Sequence, residues 1–179
     1  MPDAAERLTH DHRKVEALFE RFQSGDRRTL DQICEELTVH TAIEEEVLYP
    51  VLPQIEGGDQ MRREAETEHE EVKDAVDRLR TLGSASEEVD HIMETIISGV
   101  THHVEEEERD VLPAMRAQLG DERMAALGEK LLEVKREKLA SLGSLGSQTK
   151  DELYKMAQAA SLPGRSDMTK DQLVHALSA

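Results

Sequence analysis

The chain has 179 residues, of which 37% are apolar, 2% aromatic and 34% charged, and its net charge is −17. That length holds one domain of roughly 100–150 residues plus an appendage. The acidity excludes a body built to bind nucleic acid or anionic membrane, although residues 148–179 carry four Lys+Arg and four Asp+Glu, so residues 1–147 hold the whole excess.

Apolar residues recurring at spacings of three and four predict five helices rather than strands. The first covers about residues 4–23, with Leu8, His12, Val15, Phe19 and Phe22 on one stripe. The second covers about 29–49 and turns Leu30, Ile33, Leu37, His40, Glu44 and either Val47 or Leu48 inward. A third, about 59–82, repeats Met61, Ala65, His69, Val72, Val76 and Leu79. The fourth, about 86–111, presents Val89, Ile92 or Met93, Ile96, Val100, His103 and Glu107, with Ser84 and Glu87 placed for a capping box at its start. The fifth, about 121–139, carries Met124, Leu127, Leu131 and Val134 but no histidine, and is read as a support. Short connections at residues 24–26, 53–58 and 83–85 favour antiparallel neighbours. The expected fold is therefore all-α: an up-down-up-down four-helix bundle with a supporting fifth helix and a small C-terminal helical module.

Cys34 is the single cysteine, which excludes an intrachain disulfide, and its register predicts a small buried hydrophobe. No basic region followed by an apolar stretch opens the chain, so a cytoplasmic location is expected.

Chemistry enters with the polar members of the stripes. His40 and Glu44 are four residues apart, and so are His103 and Glu107; each pair is followed by acidic and apolar residues and by a proline ten positions after the histidine, Pro50 and Pro113. Residues i and i+4 share a helix face, so each pair aims an imidazole and a carboxylate into the same space. His12 and His69 stand on the other two stripes at comparable depth. Four buried histidines and two buried carboxylates are costly without compensation, and metal supplies it by accepting lone pairs and neutralising charge. The expected ligands are His12, His40, Glu44, His69, His103 and Glu107. That set exceeds the needs of one tetrahedral zinc and suits two iron ions with an oxo or hydroxo bridge, with manganese or zinc as substitutes. Glu45, Glu46, Glu105, Glu106 and Glu108 are read as solvated flank residues, some of them placed to orient histidines; His10, His91 and His102 fall off the ligand register.

The segments DHRKVEALF, HTAIEEEVLYPVLP, ETEHEEVKDAV and HHVEEEERDVLPAM occur in order and resemble those of the haemerythrin-like (HHE) cation-binding family over about residues 5–140. The resemblance implies that the six residues map onto non-haem di-iron ligands in a bundle that binds oxygen, senses oxygen or iron, or in some members acts on peroxide or nitric oxide. One departure is visible: oxygen-carrying haemerythrin has His-x-x-x-His on its third helix, and here Ala65 stands four before His69. Glu66, Tyr49 or water is left to fill that position. Simple reversible oxygen carriage is disfavoured. The function expected is a non-haem di-iron protein binding or reacting with dioxygen, hydrogen peroxide or nitric oxide, with catalase-like peroxide decomposition included. The alternatives are a non-catalytic iron, oxygen or redox sensor signalling through the C-terminal module, and a metal-free structural or interaction bundle.

Residues 141–148 have linker composition, and residues 149–179 resemble the helix-extended-helix module at the start of transcription termination factor Rho and related SAP-like modules. Thr149 with Glu152 and Thr169 with Gln172 read as helix starts, and Leu153, Met156, Ala157, Leu173 and Leu177 as a miniature core. With Lys150, Lys155, Arg165 and Lys170 balanced by four acids, a protein contact is favoured over nucleic acid as its partner.

Overall fold

The computed structural model describes residues 2–82, 86–146, 148–159 and 162–178. Eight α-helices are present among them: α1 Ala4–Gln23, α2 Leu30–Val47, α3 Gly58–Thr81, α4 Glu87–Glu106, α5 Leu112–Leu119, α6 Asp121–Gly146, α7 Lys150–Ala159 and α8 Lys170–Ser178. The chain divides into two units, Met1–Val134 and Lys135–Ala179. No helix among the described residues is long and apolar enough to cross a membrane.

In the first unit, local chemistry sets the helix ends. Asp3 and Glu6 form a reciprocal capping box at 2.9 and 3.0 Å, satisfying two backbone N–H groups that open α1. Gly57 at φ +76° and Gly120 at φ +81° make the turns into α3 and out of α5 in a conformation that side chains resist. The capping box expected from Ser84 lies outside the described residues, as do Gly83 and Ala85. Ser86 caps α4 instead, accepting a hydrogen bond from the Glu88 backbone N–H at 3.2 Å.

Side-chain pairs across the helices fix their directions. Between α1 and α2, His12 meets His40 while Lys14 meets Glu36. Between α2 and α3, Glu45 meets His69 while Thr38 meets Arg80. Between α3 and α4, His69 meets His103 while Arg78 meets Glu88. Numbers rising on one helix fall on the next, so all three neighbouring pairs run antiparallel. The expected all-α bundle is present.

One core cluster takes Val15, Phe19 and Phe22 from α1, Leu30, Ile33 and Leu37 from α2, Val72, Val76 and Leu79 from α3, and Val89, Ile96 and Val100 from α4. Cys34 lies in it, and burial pushes its thiol up to about 11. Each large aliphatic buried there contributes about 1.5–3 kcal/mol. Both open choices of register resolve alike: Val47 and Leu48 are buried, as are Ile92 and Met93. On each of these four helices a histidine stands three residues from a member of this cluster: His12 from Val15, His40 from Leu37, His69 from Val72 and His103 from Val100. The apolar layers therefore set four imidazoles at one depth.

The fourth helix departs from expectation. It does not stop near Val111; a π-helical turn, Glu107–Val111, leads directly into α5. The Leu112 N–H reaches back five residues to the Glu107 carbonyl. Pro113 explains the widening: it has no N–H for the carbonyl four residues back, and its ring crowds that carbonyl in a regular helix. Such turns concentrate at functional sites, and this one begins at Glu107.

In the second unit, residues 141–146 have the composition of a linker but form the last turns of α6. Ser147 lies outside the described residues. Leu145, Leu153, Ala157 and Leu173 are buried together, with Leu162, Met168 and Leu177 packed against them. The caps occur as expected, from Glu152 to the Thr149 N–H at 2.8 Å and from Gln172 to the Thr169 N–H at 2.6 Å. Met156 is not part of this core. It is 42% exposed, because the face defined by Leu153 and Ala157 leaves it at the margin.

Candidate metal centre

The six residues expected as ligands converge, and all are buried: Glu44 is 0% exposed, and His40 and His103 are the most exposed at 7%. They form two clusters whose donor atoms lie within 4.8 Å of one another, His12, His40, Glu44 and Glu107 in the first and Glu44, His69 and His103 in the second. Glu44 belongs to both. Its Oε1 lies 3.0 Å from His40 Nε2 and 4.0 Å from His12 Nε2, while its Oε2 lies 3.2 Å from His69 Nε2 and 3.7 Å from His103 Nε2. One carboxylate oxygen thus faces each cluster. Glu107 Oε2 closes the first, 3.1 Å from His12 Nε2. In the second, His69 Nε2 and His103 Nε2 face each other at 3.3 Å.

A donor set of imidazole nitrogens and carboxylate oxygens fits metal, and so does its unsatisfied state. His12 Nε2, both ring nitrogens of His40, both oxygens of Glu44 and Glu107 Oε2 are buried without a hydrogen-bond partner. They lie close together, but not in hydrogen-bond geometry. Buried polar atoms are nearly always satisfied, and a cluster of such orphans points to an ion as their shared partner.

Carboxylates on the far side of three rings fix which nitrogen faces inward. Glu108 accepts from His12 Nδ1 at 2.8 Å, Glu45 from His69 Nδ1 at 3.1 Å and Glu68 from His103 Nδ1 at 2.7 Å. A proton held on Nδ1 leaves Nε2 to ligate. Arg13 and Lys73 hold two of these braces in turn, Arg13 on Glu108 at 2.5 Å and Lys73 on Glu45 at 2.6 Å. Glu45 and Glu108 are therefore not simple flank residues, because antiparallel packing turns them against histidines of neighbouring helices. Glu68 went unnoticed in the sequence; its only signal is adjacency to His69 on a helix facing His103.

Without metal, protons occupy this layer. Burial pulls the His12 pKa down, but Glu107, Glu44 and Glu108 outweigh it and raise it to about 9. Burial likewise opposes charge on His103, and Glu44, Glu68 and Glu107 raise it to about 10. His69 is raised by Glu44 and Glu45 against the same opposition from burial. Glu44 is pushed up by burial but held well below the carboxylate range by His40, His103 and His69.

Position 65, where a fifth histidine would stand, opens on a cavity of about 540 Å³ that reaches His103 and Glu107. Tyr49 lines it, with its hydroxyl 3.0 Å from His69 Nε2. The Tyr49 N–H reaches the Glu44 carbonyl at 2.9 Å, so the turn ending α2 carries the phenol back over the centre. Glu66 does not fill the position. It pairs with Arg62 at 3.5 Å and its side chain is 44% exposed, one residue off the inward face. His10, His91 and His102 are exposed, away from the two clusters.

A helical bundle holding two histidine–carboxylate clusters that share one glutamate has the donor arrangement suited to a pair of metal ions. The chain belongs to the haemerythrin HHE cation-binding domain family, whose pattern matches residues 3–115. It is also similar to a protein of Nostoc sp. (strain PCC 7120 / SAG 25.82 / UTEX 2576) named DNA nickase, with 33% identity over 118 residues, or 63% of this chain. The match covers 33% of that relative, so this chain spans about a third of its length. No solved structure matches.

Proposed function

We propose that this protein is a non-haem di-iron protein that reacts with small oxidants, with hydrogen peroxide as the leading substrate and dioxygen and nitric oxide as alternatives. The observation that carries the proposal is the shape of Glu44 and its surroundings: one oxygen toward each histidine cluster, with the second cluster short of a donor and open at Ala65. His12, His40, Glu44 and Glu107 would hold one ion, and Glu44, His69 and His103 the other. Iron bound there would supply the change between ferrous and ferric states that peroxide or oxygen chemistry requires.

The chain's own residues do the rest. Glu108, Glu45 and Glu68 fix ring orientation and keep protons on the outer nitrogens. Leu48, Leu52 and Val111 give the cavity apolar wall and limit the water that reaches the centre. Tyr49 keeps its proton, since burial and then the charges of Glu44 and Glu107 push its pKa far up. Its hydroxyl can therefore donate a hydrogen bond to a small molecule in the cavity, or give way to direct ligation once cations replace the protons. The net charge of −17 disfavours a phosphodiester substrate, so the activity in the relative's name is not assigned to this chain. We assign residues 149–179 a protein-contact or stabilising role, since their charges balance.

The test is oxygen evolution from hydrogen peroxide by iron-loaded and metal-free protein, with the optical spectrum followed through turnover. Iron-dependent turnover together with a near-ultraviolet band supports the reading. A spectrum and peroxide level unmoved by iron loading would refute it.

A further inference from the structure

The sequence HHVEEEE contains a second His-x-x-x-Glu pair, His102 and Glu106, one residue out of step with the inner pair. Its His102 Nε2 lies 3.5 Å from Glu106 Oε1 and 3.9 Å from Glu68 Oε1. Donor atoms of all three lie within 4.8 Å of one another. Glu68 is common to both levels, because its other oxygen accepts the hydrogen bond from His103 Nδ1.

The cavity beside Ala65 joins these levels. Glu68 and Glu106 lie on its wall, and the buried His103 and Glu107 belong to its lining. The lining thus includes Glu107, whose Oε2 is a buried carboxylate oxygen with no hydrogen-bond partner. Glu64 and Asp110 add negative charge, and Arg109, the basic residue of the lining, is held by Asp110 at 2.6 Å. A cleft of one sign concentrates counter-ions and speeds their arrival.

We propose that Glu68, His102 and Glu106 form a third, exchangeable divalent-cation site through which ferrous or manganous ion passes to the buried centre. One imidazole and two carboxylates suit those ions. Three protein donors near solvent leave water to complete the coordination shell, which makes the site weak enough to release its ion inward. Glu68 links capture to delivery, since it touches both the outer histidine and a histidine of the second cluster. The route rests on the two-ion reading of the centre.

The test uses the full chain, made metal-free, and the double variant His102→Ala/Glu106→Gln; Glu68 is left intact because it positions His103. Manganous ion is titrated by electron paramagnetic resonance, and ferrous loading is followed by stopped-flow absorbance. The wild type should bind two tight equivalents and a third, weaker one. The double variant should bind only the two tight equivalents, reach the same final iron content, and load roughly tenfold more slowly. A third equivalent absent from the wild type or retained in the variant would overturn the site, and an unchanged loading rate would overturn its role as a route. Failure of the two-ion reading looks different: fewer than two tight equivalents in the wild type.

Discussion

Adding a divalent metal to the metal-free chain near neutral pH should expel protons from the histidine layer. His12 and His103 have pKa values of about 9 and about 10, held there chiefly by Glu107 and Glu44 against the opposing effect of burial. At pH 7 about 99% of His12, and nearly all of His103, then carries the proton that a metal must displace. Filling both clusters should release about two protons per chain, and more as His69, also raised, contributes. Near pH 7 the overall affinity should climb by about two decades per pH unit and flatten as pH passes through about 9 to 10. Calorimetric titration with manganous ion in buffers of different ionisation enthalpy measures the release directly. Fewer than one proton per chain, or an affinity flat with pH, would refute the claim that these ring nitrogens face the metal positions.

The same raised values predict the stability of the metal-free protein. His12 and His103 lie above the unfolded value near 6.5, so their contribution is complete below that pH and is lost as pH rises through about 9 to 10; thermal melts of metal-free protein should show Tm falling over that interval, and a flat Tm would contradict the ion pairing. His103→Ala should lose most of its iron while His102→Ala keeps it at equilibrium, as read by metal analysis, because only His103 faces Glu44; equal retention would remove His103 from the centre. Ala65→Leu should fill part of the cavity and slow peroxide turnover several-fold without changing metal content. Unchanged turnover would mean that substrate arrives by another path.

The donors were legible because the period of a helix is strict. His40 with Glu44 and His103 with Glu107 had to share a face, and the apolar stripes carried His12 and His69 to the same depth. What the sequence hid depends on contacts between helices. Glu68 braces His103 only because α3 and α4 run antiparallel in one register, and no spacing within a single helix encodes that. Tyr49 reaches the centre through the turn after α2, where helical periodicity has ended. The matching prolines stand in different local structures. After His40 the helix stops and the chain turns, whereas after His103 a π-helical turn absorbs Pro113 and the helix continues. Glycines at 143 and 146 suggested a linker. Each weakens a helix by about 1 kcal/mol, and burial of Leu145 against Leu153, Ala157 and Leu173 offsets that cost.

Among the described residues Glu44 alone is common to both clusters, so metal content of the wild type and of Glu44→Gln is the most direct measurement. Two firmly bound ions per chain in the wild type and loss of both in the variant are expected. One ion or fewer in the wild type, or a full pair retained without the Glu44 carboxylate, would contradict a shared two-metal centre.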